Sequence, residues 1–118
     1  MSVAFPMRRV IIFTRNIAAM RDFYRDVIGL TIAEADDGWI DFDAGGARLA
    51  LHAAGTVPAE AVDGSPHKVV FYAEDVAAAA QIWADRGAVM GKVKVFGDLH
   101  LCDGEDPDGN RVQLSNRA

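Results

Sequence analysis

The chain repeats itself. RRVIIFTRNIAAMRDFY, starting at Arg8, reads against HKVVFYAEDVAAAAQIW, starting at His67, at a constant offset of 59. Arg9 stands against Lys68, Val10 against Val69, Asn16 against Asp75 and Tyr24 against Trp83. Further on, DAGGARLAL from Asp43 resembles DPDGNRVQL from Asp106, at an offset of 63. Self-similarity at a fixed period means one supersecondary unit used twice, each copy helping to bury what the other leaves open. The expected modules are residues 1–55 and 67–118, within one domain and joined by a linker at 56–66. The joining stretch Ala54–Pro66 carries two prolines and two glycines and reads as a loop.

Each copy carries the same local signals. Arg9–Thr14 and Lys68–Ala73 are rich in β-branched and aromatic residues and read as strands. Asn16 and Asp75 are placed to cap helices, their side-chain oxygens accepting from free first-turn amides. Met20, Phe23, Tyr24 and Val27 lie at i, i+3, i+4 and i+7, which predicts a helix over Ala18–Ile28. Val76, Ala79, Ala80 and Trp83 predict a second over Val76–Arg86. Gly29 and Gly87 stand where a left-handed residue would end each helix. Three strands follow in each half, near Leu30–Ala35, Trp39–Asp43 and Ala47–Ala53, then near Val89–Val95, Leu99–Asp103 and Asn110–Ser115. The order is βαβββ twice. The fold class is α+β, with two modules forming a curved mixed sheet around a cleft and helices on the outer face.

Composition narrows the functions. Seventeen acidic against twelve basic residues give a formal charge of −5. An acidic chain lacks the basic footprint of nucleic-acid binding and the polybasic patch of a membrane-surface protein. No apolar run approaches the ~20 residues of a bilayer span, and the N-terminal MSVAFPMRRVIIF has no cleavage signature. The expected location is the cytoplasm. Cys102, the sole cysteine, permits neither an internal disulfide nor a thiolate cluster.

The repeat resembles the glyoxalase/bleomycin resistance/dioxygenase superfamily, also called vicinal oxygen chelate proteins. The likeness rests on RNIAAMRDFYRDVIGL (Arg15–Leu30), AEDVAAAAQIWADRGA (Ala73–Ala88) and DPDGNRVQL (Asp106–Leu114). It implies a shell of βαβββ modules, frequent pairing into homodimers and, in metal-using members, four cleft-facing ligands. Carried over residue by residue, those positions fall at Arg9, Ala50, Lys68 and Gln113. Cationic Arg and Lys offer no lone pair and Ala no donor, so no metal and no cofactor are expected there.

Strand alternation assigns the remaining faces. Val10, Ile12, Leu49, Leu51, Val69, Phe71, Val112 and Leu114 are expected beneath the helices. Arg9, Ile11, Phe13, Arg48, Ala50, His52, Lys68, Val70, Tyr72, Arg111, Gln113 and Ser115 are expected in the cleft, with Trp39, Asp41, His100 and Cys102. Candidate ligand-binding residues are Arg9, Lys68, Gln113, Trp39, His52, His100 and Tyr72; no catalytic residue is assigned. Arg9 and Lys68 either hold an anionic group, or pair with Asp41, Asp43 or Glu74, or reach solvent at the strand starts. His52 and His100 either meet across the cleft or are ordinary half-buried histidines. The leading expectation is a metal-free homodimeric binder of a small anionic or aromatic molecule. The alternatives are a lyase or dioxygenase-type enzyme with a non-standard site, or a subunit whose dimer surface is its role.

Overall fold

A computed structural model describes residues 4–54 and 67–118. The linker expected at 56–66 lies outside them. The chain runs β1 (Arg9–Thr14), α1 (Ile17–Asp22), β2 (Thr31–Asp36), β3 (Trp39–Asp43) and β4 (Arg48–Ala53). The second half follows the same order with one strand divided in two: β5 (Val69–Tyr72), α2 (Val76–Asp85), β6 (Val89–Met90), β7 (Lys94–Phe96), β8 (Leu99–Glu105) and β9 (Arg111–Ser115). Two mixed sheets result, ordered β1-β4-β3-β2 and β5-β9-β8-β6, with β7 also on β8. In each, the opening strand lies parallel to the last and every other pair is antiparallel. The class is α+β, as the repeat predicts.

The first helix departs from regular geometry. After Asp22 it widens into a π turn over Phe23–Val27, with the Ile28 amide donating to the Phe23 carbonyl at 3.1 Å. The predicted stripe nevertheless buries completely: Met20, Phe23, Tyr24 and Val27 all enter the core. The second helix starts where Asp75 accepts from the Ala78 amide. Asn16 does not cap α1; its Nδ2 instead donates to Asp108 at 2.9 Å, drawn away by a carboxylate of the other module. Gly29 and Gly87 do end the helices, with φ of 90° and 101°.

One apolar cluster runs through both modules. It joins α1 and α2 to Ile40, Phe42, Leu49, Leu51, Val112 and Leu114 on the sheet faces below. Ile12, Val69 and Phe71 pack at its margin, but Val10, expected in it, is 39% exposed at the outer edge of β1. The strand expected over Val89–Val95 breaks between β6 and β7, and the Gly91 amide donates to the Asp103 carbonyl.

A polar latch ties the modules together. The buried Asp106 carboxylate accepts from Tyr24 Oη at 2.8 Å, from the Asp108 and Asn110 amides and from Asn110 Nδ2. Asp108 accepts from Thr14 Oγ1 and Asn16, and Arg86 donates to the Val27 carbonyl. Burial pushes the Asp106 carboxyl up, over the opposing hydrogen bonds from Asn110 and Tyr24. The same burial, added to by the charge of Asp106, raises the Tyr24 phenol well above its ordinary value. Tyr24→Phe therefore leaves a buried carboxylate one donor short. Chemical denaturation is expected to show a loss of about 1–3 kcal/mol; unchanged stability would mean that the latch is idle.

Candidate functional site

Register decides which side chains share the inner faces, because residues directly opposite in a sheet point the same way. In the first sheet Arg9 pairs with Arg48 and Arg48 with Asp43. The next row is Ile11, Ala50, Asp41 and Glu34, and the next Phe13, His52, Trp39 and Asp36. In the second sheet Arg111 pairs with Glu105, level with Lys68, which immediately precedes β5. Above it run Val70, Gln113 and Asp103, then Tyr72, Ser115 and Leu101. The two faces are copies: a basic–acidic row, a row centred on aspartate, and a row that is mostly aromatic or apolar.

The phase of β8 corrects one expectation. Leu101 and Asp103 lie on the inner face, so His100 and Cys102 lie on the other. Cys102 is buried in the core, opposite Leu114, and its thiol donates to the Gly91 carbonyl at 3.4 Å. Burial pushes that thiol up, the opposite of an activated nucleophile. The half-buried His100 pairs with Val95, and its amide donates to Asn116. It therefore does not meet His52 across an inner face.

Both cations at the expected metal positions are bound to carboxylates. Arg9 grips Asp41 with two bonds, Nε to Oδ1 at 3.1 Å and Nη2 to Oδ2 at 2.9 Å, and Arg48 adds a third at 3.1 Å. Asp41 is almost wholly buried. Lys68 Nζ bridges the two oxygens of Asp103 at 3.1 and 3.0 Å, and Gln113 Nε2 adds a third bond at 2.8 Å. Of the alternatives for Arg9 and Lys68, pairing is the one realised: Arg9 takes the expected Asp41, but Lys68 takes Asp103 rather than Asp41, Asp43 or Glu74. Asp103, the repeat counterpart of Asp41 at an offset of 62, supplies the second carboxylate. That offset, between the 59 and 63 of the flanking blocks, was the available signal for it.

The charges set each other's titration. Hydrogen bonds from Arg9 hold the Asp41 carboxyl below the ordinary aspartate range, against the push of burial. Burial raises Asp103, but Gln113 and Lys68 outweigh it and hold that carboxyl low as well. With Arg9 and Lys68 neutralised in this way, Ala50 without a donor and Gln113 hydrogen-bonded, the four positions do not fit a metal. Among the described residues no three His, Cys, Asp or Glu side chains are grouped to hold one.

Beside the first ion pair lies an aromatic row. His52 stands between Phe13 and Trp39, with ring centroids 5.5 and 5.7 Å away, and the Arg9 guanidinium sits 5.7 Å over the Trp39 ring. Phe13 is 53% exposed and Tyr72, its counterpart, 61%. A groove of about 660 Å³ takes in Phe13 of this row, together with Ile11, Lys68, Val70 and Arg111, but not His52, Trp39 or Tyr72.

Comparison with known proteins agrees with this architecture. A family model described as the Glyoxalase/Bleomycin resistance protein/Dioxygenase superfamily matches residues 7–114. Among solved structures, a glyoxalase family protein from Enterococcus faecalis is 19% identical, with a TM-score of 0.80 over 93% of this chain and 96% of its own. A glyoxalase/bleomycin resistance protein/dioxygenase from Nocardioides is 21% identical, with a TM-score of 0.79 over 97% of this chain and 85% of its own. A lactoylglutathione lyase from Agrobacterium tumefaciens is 21% identical, with a TM-score of 0.70 over 97% and 95%. At these identities the likeness is one of fold. Comparison with curated proteins finds no match.

The depressed value of Asp41 fixes the sign of a pH effect. As pH falls, the unfolded chain takes up this proton first, so stability present above the ordinary aspartate range is lost as pH drops through the depressed value. Unfolding followed below about pH 4 is expected to show a shallower acid loss for Asp41→Asn than for the unaltered protein. Equal slopes would contradict the pairing.

Proposed function

The chain belongs to the glyoxalase/bleomycin resistance protein/dioxygenase superfamily, and on that premise we propose that it is a metal-free member that binds a small molecule with a planar apolar part. The observation that carries this reading is the inner face of the first sheet. An ion pair saturated by Asp41 stands where a ligand-bearing residue is expected, and a solvent-open row of Phe13, His52 and Trp39 lies next to it. Flat rings offset or edge-on to aromatic side chains are favoured by quadrupole and by area. The neutralised Arg9 stiffens that row through its contact with Trp39. Lyase or dioxygenase chemistry through a metal would need the donors that Arg9, Ala50 and Lys68 replace.

The binding unit in this reading is a homodimer. Ile11, Phe13, Val70 and Tyr72 leave 44–61% of their surface open on the two inner faces, and exposed apolar surface of this kind marks association sites.

Titration with benzamide, followed residue by residue in amide NMR spectra, tests the site. Saturable shifts are expected at Phe13, His52 and Trp39, and Trp39→Ala or Phe13→Ala is expected to weaken binding about tenfold. One divalent ion per chain bound at Gln113, or benzamide shifts that avoid this row, would overturn the reading. Sedimentation is expected to give twice the chain mass at micromolar concentration; a particle of one chain would overturn the pairing.

A further inference from the structure

The two inner faces are copies, and one substitution between them frees a charged group. In the first sheet Arg48 makes the third hydrogen bond to Asp41. In the second, Gln113 stands in the place of Ala50 and makes the third bond to Asp103 itself. Arg111, the counterpart of Arg48, is thereby released. Among the described residues it makes no side-chain hydrogen bond and stands in no ion pair, and the same holds for Lys94.

Arg111 and Lys94 line one recess of about 400 Å³, together with Met90, Asp103, Gly104 and Glu105. Small-ligand pockets run about 300–1,000 Å³. Asp103 is already matched by Lys68 and Gln113. The wall therefore sets Arg111 and Lys94 against Glu105, which lies across from Arg111 in register, and against Asp103, on which the charge of Lys94 also acts beside that of Lys68.

We infer that this recess is a subsite for the carboxylate of a small organic acid. The planar fork of Arg111 matches a carboxylate with two parallel bonds, and Lys94 adds a point charge. Glu105 and Asp103 repel a second negative charge, which favours a monoanion over phosphate. The inference rests on the small-molecule reading above and names the acidic part of its ligand.

Amide NMR titrations of the whole protein with benzoate, inorganic phosphate and benzamide test it. Benzoate is expected to shift Gly91, Gly104 and Arg111 saturably. Arg111→Met and Lys94→Met should each weaken benzoate about tenfold, a charge-assisted hydrogen bond being lost. Glu105→Gln should strengthen it, and all three variants should bind benzamide as before. These side chains lie outside the core, so folding is retained, and the opposite sign for Glu105→Gln is not a result that damaged packing would give. Benzoate binding unchanged by Arg111→Met, or phosphate bound more tightly than benzoate at the same amides, overturns the subsite. Benzamide failing at Phe13 and Trp39 while benzoate still shifts Gly104 overturns the aromatic reading and supports the subsite.

Discussion

The carboxylate of Asp106 is the central polar tie between the two modules. It is buried, and a buried charge persists only when its lone pairs are filled. Three of its hydrogen bonds shape the turn before β9, and the fourth comes from Tyr24 on the first module's helix. The turn thus sets where β9 begins and, through Tyr24, how the first helix docks. The π turn at Phe23–Val27 spans this contact. Wide turns of this kind recur where a helix must redirect a side chain, and here Tyr24 reaches across to the other module.

From that docking follow the open inner faces. The helices share one core behind the sheets, so the opposite faces remain for something else. On each, a cation at the start of the module, Arg9 on β1 and Lys68 just before β5, meets an aspartate, Asp41 on β3 and Asp103 on β8. The two pairs differ in burial: Arg9, Lys68 and Asp103 keep about a third of their side-chain surface open, whereas Asp41 is almost wholly buried. An open pair such as Lys68–Asp103 adds little stability and acts mainly to arrange the surface, while a buried carboxylate such as Asp41 depends on its partners. Arg9 fixes the edge of Trp39, and Lys68 with Gln113 fixes Asp103. Local chemistry has diverged where the backbone has not: Ala50 leaves room for Arg48, whereas Gln113 displaces Arg111.

Much of this was legible in the chain. The repeat gave the βαβββ order, because each copy carries a cap residue, a 3.6-period stripe and a terminating glycine that act through neighbours a few positions away. The burial of Met20, Phe23, Tyr24 and Val27, the cap at Asp75 and the inward placement of Arg9, Ile11, Phe13 and Trp39 followed from period alone. The misreadings arose where distant contacts compete with local ones. Asn16 carries a capping side chain, yet a carboxylate of the other module takes it. His100 and Cys102 lie on the face opposite the one alternation along the chain suggests, because pairing with β9 sets Leu101 against Ser115 and Asp103 against Gln113, and a one-residue slip exchanges faces.

What the sequence determined by itself was therefore the pattern of elements and the chemical type of each row, since those depend on spacing along the chain. The tertiary structure decided the pairings: Asp103 for Lys68, Asp41 shared by Arg9 and Arg48, Tyr24 on Asp106, and Arg111 left over. A charged side chain can reach any partner that the register brings within a few ångströms, and register across strands dozens of residues apart is settled only when the sheets form.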